Sequence, residues 1–181
     1  DDPKWNNNTM GASTTIGANG CTSTSVAMAI AKSGVSTKLK NFNPATFVNW
    51  MNKNGGYIGY DKNGKETKGN LLVWGAPAGV INGSYSASKK EFIDETGKEL
   101  MSQSAAKKYI ADLLKKGLYP IVGVSRTGNC SESQGRSGHW ILADRVENGQ
   151  IKVLDPACYG GRNDGLTIFN KICEVEILDI H

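Results

Sequence analysis

The sequence predicts an α+β fold: a largely helical first part, with a cysteine at a helix N-terminus, followed by an antiparallel sheet. Three observations carry that reading. In three stretches before Gly117, apolar residues recur at the separations of a buried helix stripe. After Leu118, four short runs of strand-forming residues follow one another between turn signals. A chain of 181 residues, 39% hydrophobic and 21% charged, suffices for one domain with a real core, so residues 1–181 read as a single domain with a mainly helical lobe over 1–117 and a β lobe over 118–181.

Taken in order, residues 1–20 are rich in Asn, Thr and Gly and read as an extended lead-in anchored by Trp5 and Ile16. A helix follows from Cys21 to about Ser33, with Val26, Ala27, Ile30 and Ala31 on its buried face and Gly34 as C-terminal cap. Asn43 and Pro44 read as N-cap and first residue of a second helix, with Phe47, Trp50 and Met51 on one face and Gly55-Gly56 ending it. The stretch from Tyr57 to Gly69 turns back at Asn63-Gly64. Its Asp61-x-Asn63-Gly64 superficially resembles a calcium loop, but the glycine comes too early and the distal glutamate is missing.

Leu71-Leu72-Val73-Trp74 reads as a helical turn under the core, and Gly75–Ser88 as loop. Ser102 or Ser104 caps a third helix whose Ala106, Tyr109, Ile110, Leu113 and Leu114 form an apolar stripe, with Lys107, Lys108, Lys115 and Lys116 facing water and Gly117 closing it. The strand runs are Tyr119–Val124, His139–Ala143, Ile151–Leu154 and Cys173–Leu178, the second and third joined by a tight turn at Asn148-Gly149.

The formal net charge of +4 is mild, and lysines concentrate between residues 89 and 116. Without interleaved aromatics this is a solvated helix face rather than a nucleic-acid footprint, so no nucleic acid is expected as partner. It is compatible with an anionic polymer such as a bacterial wall without implying one. No apolar run approaches the length of about 20 residues that a membrane-spanning helix needs. Asp1-Asp2-Pro3-Lys4-Trp5-Asn6 has no signal-peptide core, which leaves a cytoplasmic chain, a processed one, or a piece of a longer protein.

Cysteines stand at 21, 130, 158 and 173 with no C-x-x-C pair, and the histidines are His139 and the terminal, fray-prone His181. A structural zinc site does not suit that set, and neither metal nor cofactor is expected. With Cys21 set aside, one disulfide at most can form, and Cys130 with Cys158 is the pair to test, against three reduced thiols.

Cys21 follows the small, polar run Gly17-Ala18-Asn19-Gly20 and opens a helix. A helix N-terminus favours an anion, so it lowers a thiol's pKa, and its N–H groups can receive an oxyanion. On this motif alone, a nucleophile and a small buried cysteine both stand. A nucleophilic thiol needs a base and a group that orients the base. His139, at a strand start after the Gly-rich stretch Gly128–Gly138, is the histidine suited to that role. Asp155 ends the strand across the Asn148-Gly149 turn, so the hairpin should bring it beside His139. Asp155-Pro156 also reads as a plain turn initiator. Asp144 lies within the His139 strand rather than across from it.

The order of these motifs is similar to that of the C39-like cysteine peptidases, of the papain-like superfamily. It comprises Gly20-Cys21-x-x-x-Ser25-x-Ala27-Met28-Ala29, a Lys/Leu helix leading into Gly117-x-Tyr119-Pro120-Ile121-Val122, then Gly138-His139-Trp140 and Asp155-Pro156-Ala157. The likeness runs from Trp5 to about Leu178. It implies a papain-like fold with Cys21 as nucleophile, His139 as general base and acid, and Asp155 as orienting carboxylate. Papain-like enzymes place a glutamine six residues before the cysteine, where this chain has Thr15. Thr15, Asn19 and Thr14 are the candidates to complete the oxyanion hole.

The implied activity is hydrolysis of an amide bond through a thioester, on a peptide, a protein or a peptidoglycan cross-peptide, by a bacterial or phage module that is secreted or cell-wall associated. Alternatives are a leader-peptide-processing domain of an exporter, a transglutaminase-like acyl transferase, and an inert papain-like binding module. The interval of 118 residues from Cys21 to His139 (139 − 21) is long for the transferase. Oligomeric state is left open.

Overall fold

A computed structural model describes residues 4–125, 127–130, 138–157, 165–169 and 171–181. The chain forms two compact units, one of residues up to Ser86 together with Ile180–His181, the other Ala87–Asp179. The helix at 103–115 packs on the sheet that follows it, within the second of these units.

The first unit opens with a minimal hairpin, β1 (Thr9–Met10) and β2 (Thr14–Thr15), and a short helix α1 (Ile16–Asn19), where the sequence suggested only an extended lead-in. Thr15 caps α1 by accepting from the Ala18 N–H at 3.3 Å. Helix α2 (Cys21–Ser33) ends at Gly34, whose φ of 72° lies in the left-handed region that a cap glycine adopts without strain. Its Val26, Ala27, Ala29 and Ile30 are buried.

Helix α3 (Pro44–Lys53) begins with a reciprocal cap: Asn43 Oδ1 accepts from the Thr46 N–H and Thr46 Oγ1 from the Asn43 N–H, each at 3.0 Å. Phe47, Val48 and Met51 are fully buried, while Trp50 is half-buried. Strands β3 (Tyr57–Tyr60) and β4 (Glu66–Leu72) form the hairpin expected at Asn63-Gly64. Its loop is tied by Asp61 Oδ1, which accepts from the N–H groups of Asn63 and Lys65.

Two expectations fail after this point. Leu71 and Leu72 extend β4 instead of forming a helical turn, and Leu71 is 57% exposed, so that apolar run is not under a core. The stretch 75–88 is not plain loop: Ala76–Gly79 make a 3-10 turn and strand β5 (Tyr85–Glu91) begins within it. His181 is not frayed in its backbone either, because it exchanges main-chain hydrogen bonds with Ser84 at 2.6 and 3.2 Å.

The second unit is an antiparallel sheet covered by helix α4 (Gln103–Lys115), with Ser102 as N-cap. Strands β6 (Tyr119–Ser125), β7 (His139–Glu147), β8 (Gln150–Leu154) and β9 (Lys171–Ile180) join β5 in the order β5-β9-β6-β7-β8. Ala106, Ile110 and Leu113 of α4 pack with Val122, Val124, Ile141, Val153 and Val175 of the sheet. The turn between β7 and β8 has φ of 51° at Asn148 and 76° at Gly149. Two left-handed residues in a row are what a two-residue hairpin needs to match strand twist.

Cys130 is bonded to Cys173, 43 residues away, and not to Cys158. The sulfur of Cys130 faces β9, and strand pairing decides which cysteines meet more than proximity along the chain does. Cys158, and residues 131–137 of the Gly-rich stretch before His139, lie outside the described residues.

Candidate active site

On the sheet, Leu154 pairs with Leu142, which places Asp155 just past the last pair and on the same side of the hairpin as His139. The result is a hydrogen bond between His139 Nε2 and Asp155 Oδ1 at 2.8 Å. The Ala157 N–H donates to the same oxygen at 2.8 Å, a local turn in which the aspartate binds its own backbone two residues on. One oxygen therefore both closes the turn and binds the imidazole. A carboxylate accepts, so Nε2 carries the hydrogen and Nδ1 is the ring nitrogen that can take a proton.

The Asp155 side chain is fully buried and that of His139 is 13% exposed. Phe169 lies against the imidazole with ring centroids 6.2 Å apart. Asp144 is placed elsewhere: it is the extra residue of a bulge between Ala143 and Arg145, and its carboxylate binds the Arg145 guanidinium.

In the first unit, Cys21 is the first residue of α2 and stands as a half-buried thiol. Gly20 offers no side chain to cap the helix, and no side-chain cap bond is made at that end. Gly20 is required there, since a Cβ would lie 2.3 Å from the Ile16 carbonyl oxygen. Its N–H donates to that same oxygen at 2.8 Å, turning α1 directly into α2.

Two residues on, Ser23 is buried and anchors the helix to β3 by a 2.9 Å hydrogen bond with the Tyr57 hydroxyl. Ser23 Oγ donates to Met10 Sδ at 3.4 Å, which makes Tyr57 the donor in that pair. Burial pushes the Tyr57 hydroxyl up to about 12, so it remains a donor across the neutral range.

Of the three candidates for the oxyanion hole, Asn19 and Thr14 bind each other, Nδ2 to Oγ1, at 2.7 Å. Thr15 Oγ1 serves as the cap of α1. None of the three is aimed by these bonds at a reacting oxygen. Ser23, Tyr57 and Phe169 were not singled out by the sequence, and no spacing rule marks them: each matters only through a partner distant in the chain.

No protein-family model, curated protein or solved structure matches this chain. Among the described residues no cluster of His, Cys, Asp and Glu could hold a metal ion, and no helix is long and apolar enough to cross a membrane.

Proposed function

We propose that the protein is a papain-like cysteine peptidase that cleaves an amide bond through a thioester on Cys21, with His139 moving the proton and Asp155 orienting the imidazole. The observation that carries this reading is the 2.8 Å bond between His139 Nε2 and Asp155 Oδ1, with the carboxylate pinned by the Ala157 N–H. An oriented, carboxylate-bound imidazole is the partner a cysteine nucleophile requires. A thiol at an uncapped helix N-terminus supplies the other half of the chemistry.

With Nε2 engaged by Asp155, Nδ1 takes the thiol proton and returns it to the leaving amine. The oxyanion is stabilised by the backbone N–H of Cys21; where papain-like enzymes use a glutamine, Asn19 and Thr14 are engaged with each other and Thr15 with the start of α1. The substrate is a peptide, a protein or a peptidoglycan cross-peptide. A disulfide between Cys130 and Cys173 favours an oxidising compartment, which fits a secreted or cell-wall-associated module.

The test is mass spectrometry after brief exposure to iodoacetamide or E-64 at neutral pH, comparing wild type, Cys21→Ala and His139→Ala. Rapid labelling confined to Cys21 that collapses in His139→Ala is the expected result. Slow labelling indifferent to His139 would leave a papain-like fold without turnover, a binding module.

A further inference from the structure

Strand β9 carries one residue more than its neighbour. Between the pairs Gly123↔Glu174 and Val124↔Ile172 it inserts Cys173, which makes a bulge. Val124, the β6 residue at that point, is also the residue opposite His139 on β7. One row across the sheet thus reads Ile172, Val124, His139, and the bulge sits beside it. If Cys173 slipped back into the ladder, Ile172 and Lys171 would exchange faces and Val124 would change partner.

Three ties hold the bulge. Cys173 is bonded through sulfur to Cys130, and both are buried against Ile93. Its carbonyl accepts from the N–H groups of Phe92 and Ile93 at 3.0 and 3.2 Å. The third tie is Gln103, the first residue of α4: its Nε2 donates to the Ile172 carbonyl at 2.9 Å, and its Oε1 accepts from the Ile172 N–H at 2.7 Å. Strand β5 stops at Glu91, and here a side-chain amide supplies the donor and acceptor that a neighbouring strand would give.

We propose that Gln103 and the Cys130–Cys173 disulfide are positioning elements for His139. By locking the bulge they fix the row Ile172–Val124–His139, and with it the bond from Nε2–H to Asp155. For its meaning in catalysis this rests on the peptidase reading, but its test reads the imidazole and not the thiol. A failed alkylation experiment would remove the peptidase and leave this inference standing.

The chain has two histidines, so a long-range 1H–15N spectrum resolves both imidazoles. In the wild type at neutral pH, His139 is expected as a single Nε2–H tautomer with a slowly exchanging Nε2–H signal. Gln103→Ala and, separately, the double variant Cys130→Ser with Cys173→Ser are expected to lose that signal while near-UV circular dichroism and methyl dispersion still report folded protein. Leu113→Ala, which truncates the apolar face of α4, is the destabilised comparator and should keep it. Should the double variant not fold, Gln103→Ala decides alone, since it deletes two hydrogen bonds and leaves the disulfide intact. Retention of the signal in either folded variant, or its loss in the comparator as well, would overturn the proposal.

Discussion

Cys21 and His139 are placed by opposite means. Cys21 is set by its near neighbours in sequence: α1 turns into α2 over Gly20, and the contacts involved are within a few residues. His139 and Asp155 are set by sheet register, which depends on a two-residue turn, a bulge, a disulfide spanning 43 residues and a glutamine from another element. Local placement tolerates distant change and fails abruptly when its own backbone is crowded. Register placement draws on residues far away in the chain, so a change at any one of them reaches the site.

The largest effect should come at the sheet end. Closing a 43-residue separation contributes about 4 kcal/mol by restricting the unfolded chain, so urea denaturation of the double serine variant should show a loss near that value. A loss well under ~1 kcal/mol would mean that the ladder alone holds the strands. At the other end, Gly20→Ala would force a Cβ to 2.3 Å from the Ile16 oxygen, at a cost of about 3 kcal/mol in the same assay. That variant should slow Cys21 alkylation yet keep the His139 Nε2–H signal. Loss of the signal would break the separation drawn between the two ends.

The next effect is one of pH. Glu176 is buried on β9, and that burial, opposed by Lys89 and aided to a lesser degree by Glu174, pushes its carboxyl up to about 7. A carboxyl raised in the fold binds its proton where the unfolded chain has released it, so stability falls as pH rises from about 4.5 to about 7 and levels off above that. Glu176→Gln should therefore be more stable than wild type at pH 8, by about 1–2 kcal/mol after allowance for solvent screening, with the advantage fading toward pH 5. No comparable dependence is expected for Tyr57→Phe, which removes the anchor of α2 at Ser23 and should cost about 1 kcal/mol at either pH.

The same contrast explains what the sequence could reveal. Helices α2, α3 and α4 were readable because their caps and stripes are local: Gly34, Asn43 with Pro44, and Ser102 announce their ends. The hairpin at Asn148-Gly149 was equally readable, and it carried the adjacency of His139 and Asp155 with it. Strand β5 was missed because Tyr85-Ser86-Ala87-Ser88-Lys89-Lys90-Glu91 lacks an apolar alternation, as a strand on the edge of a sheet can. Leu71 and Leu72 misled because a short apolar run has no period of its own. The pairing of Cys130 with Cys173 depends on a bulge, which no spacing in the chain announces.

The bridge between Cys130 and Cys173 also bears on how the molecule is made. Cys21, Cys130 and Cys158 all precede Cys173 in the chain, so any pairing made before Cys173 is synthesised is a wrong one. Oxidation in order of appearance would join Cys21 to Cys130 and leave Cys173 without its partner. Production in an oxidising compartment thus favours delayed oxidation or an isomerase, and a preparation with Cys21 caught in such a bond would match the native protein in mass while lacking the bridge at the β9 bulge.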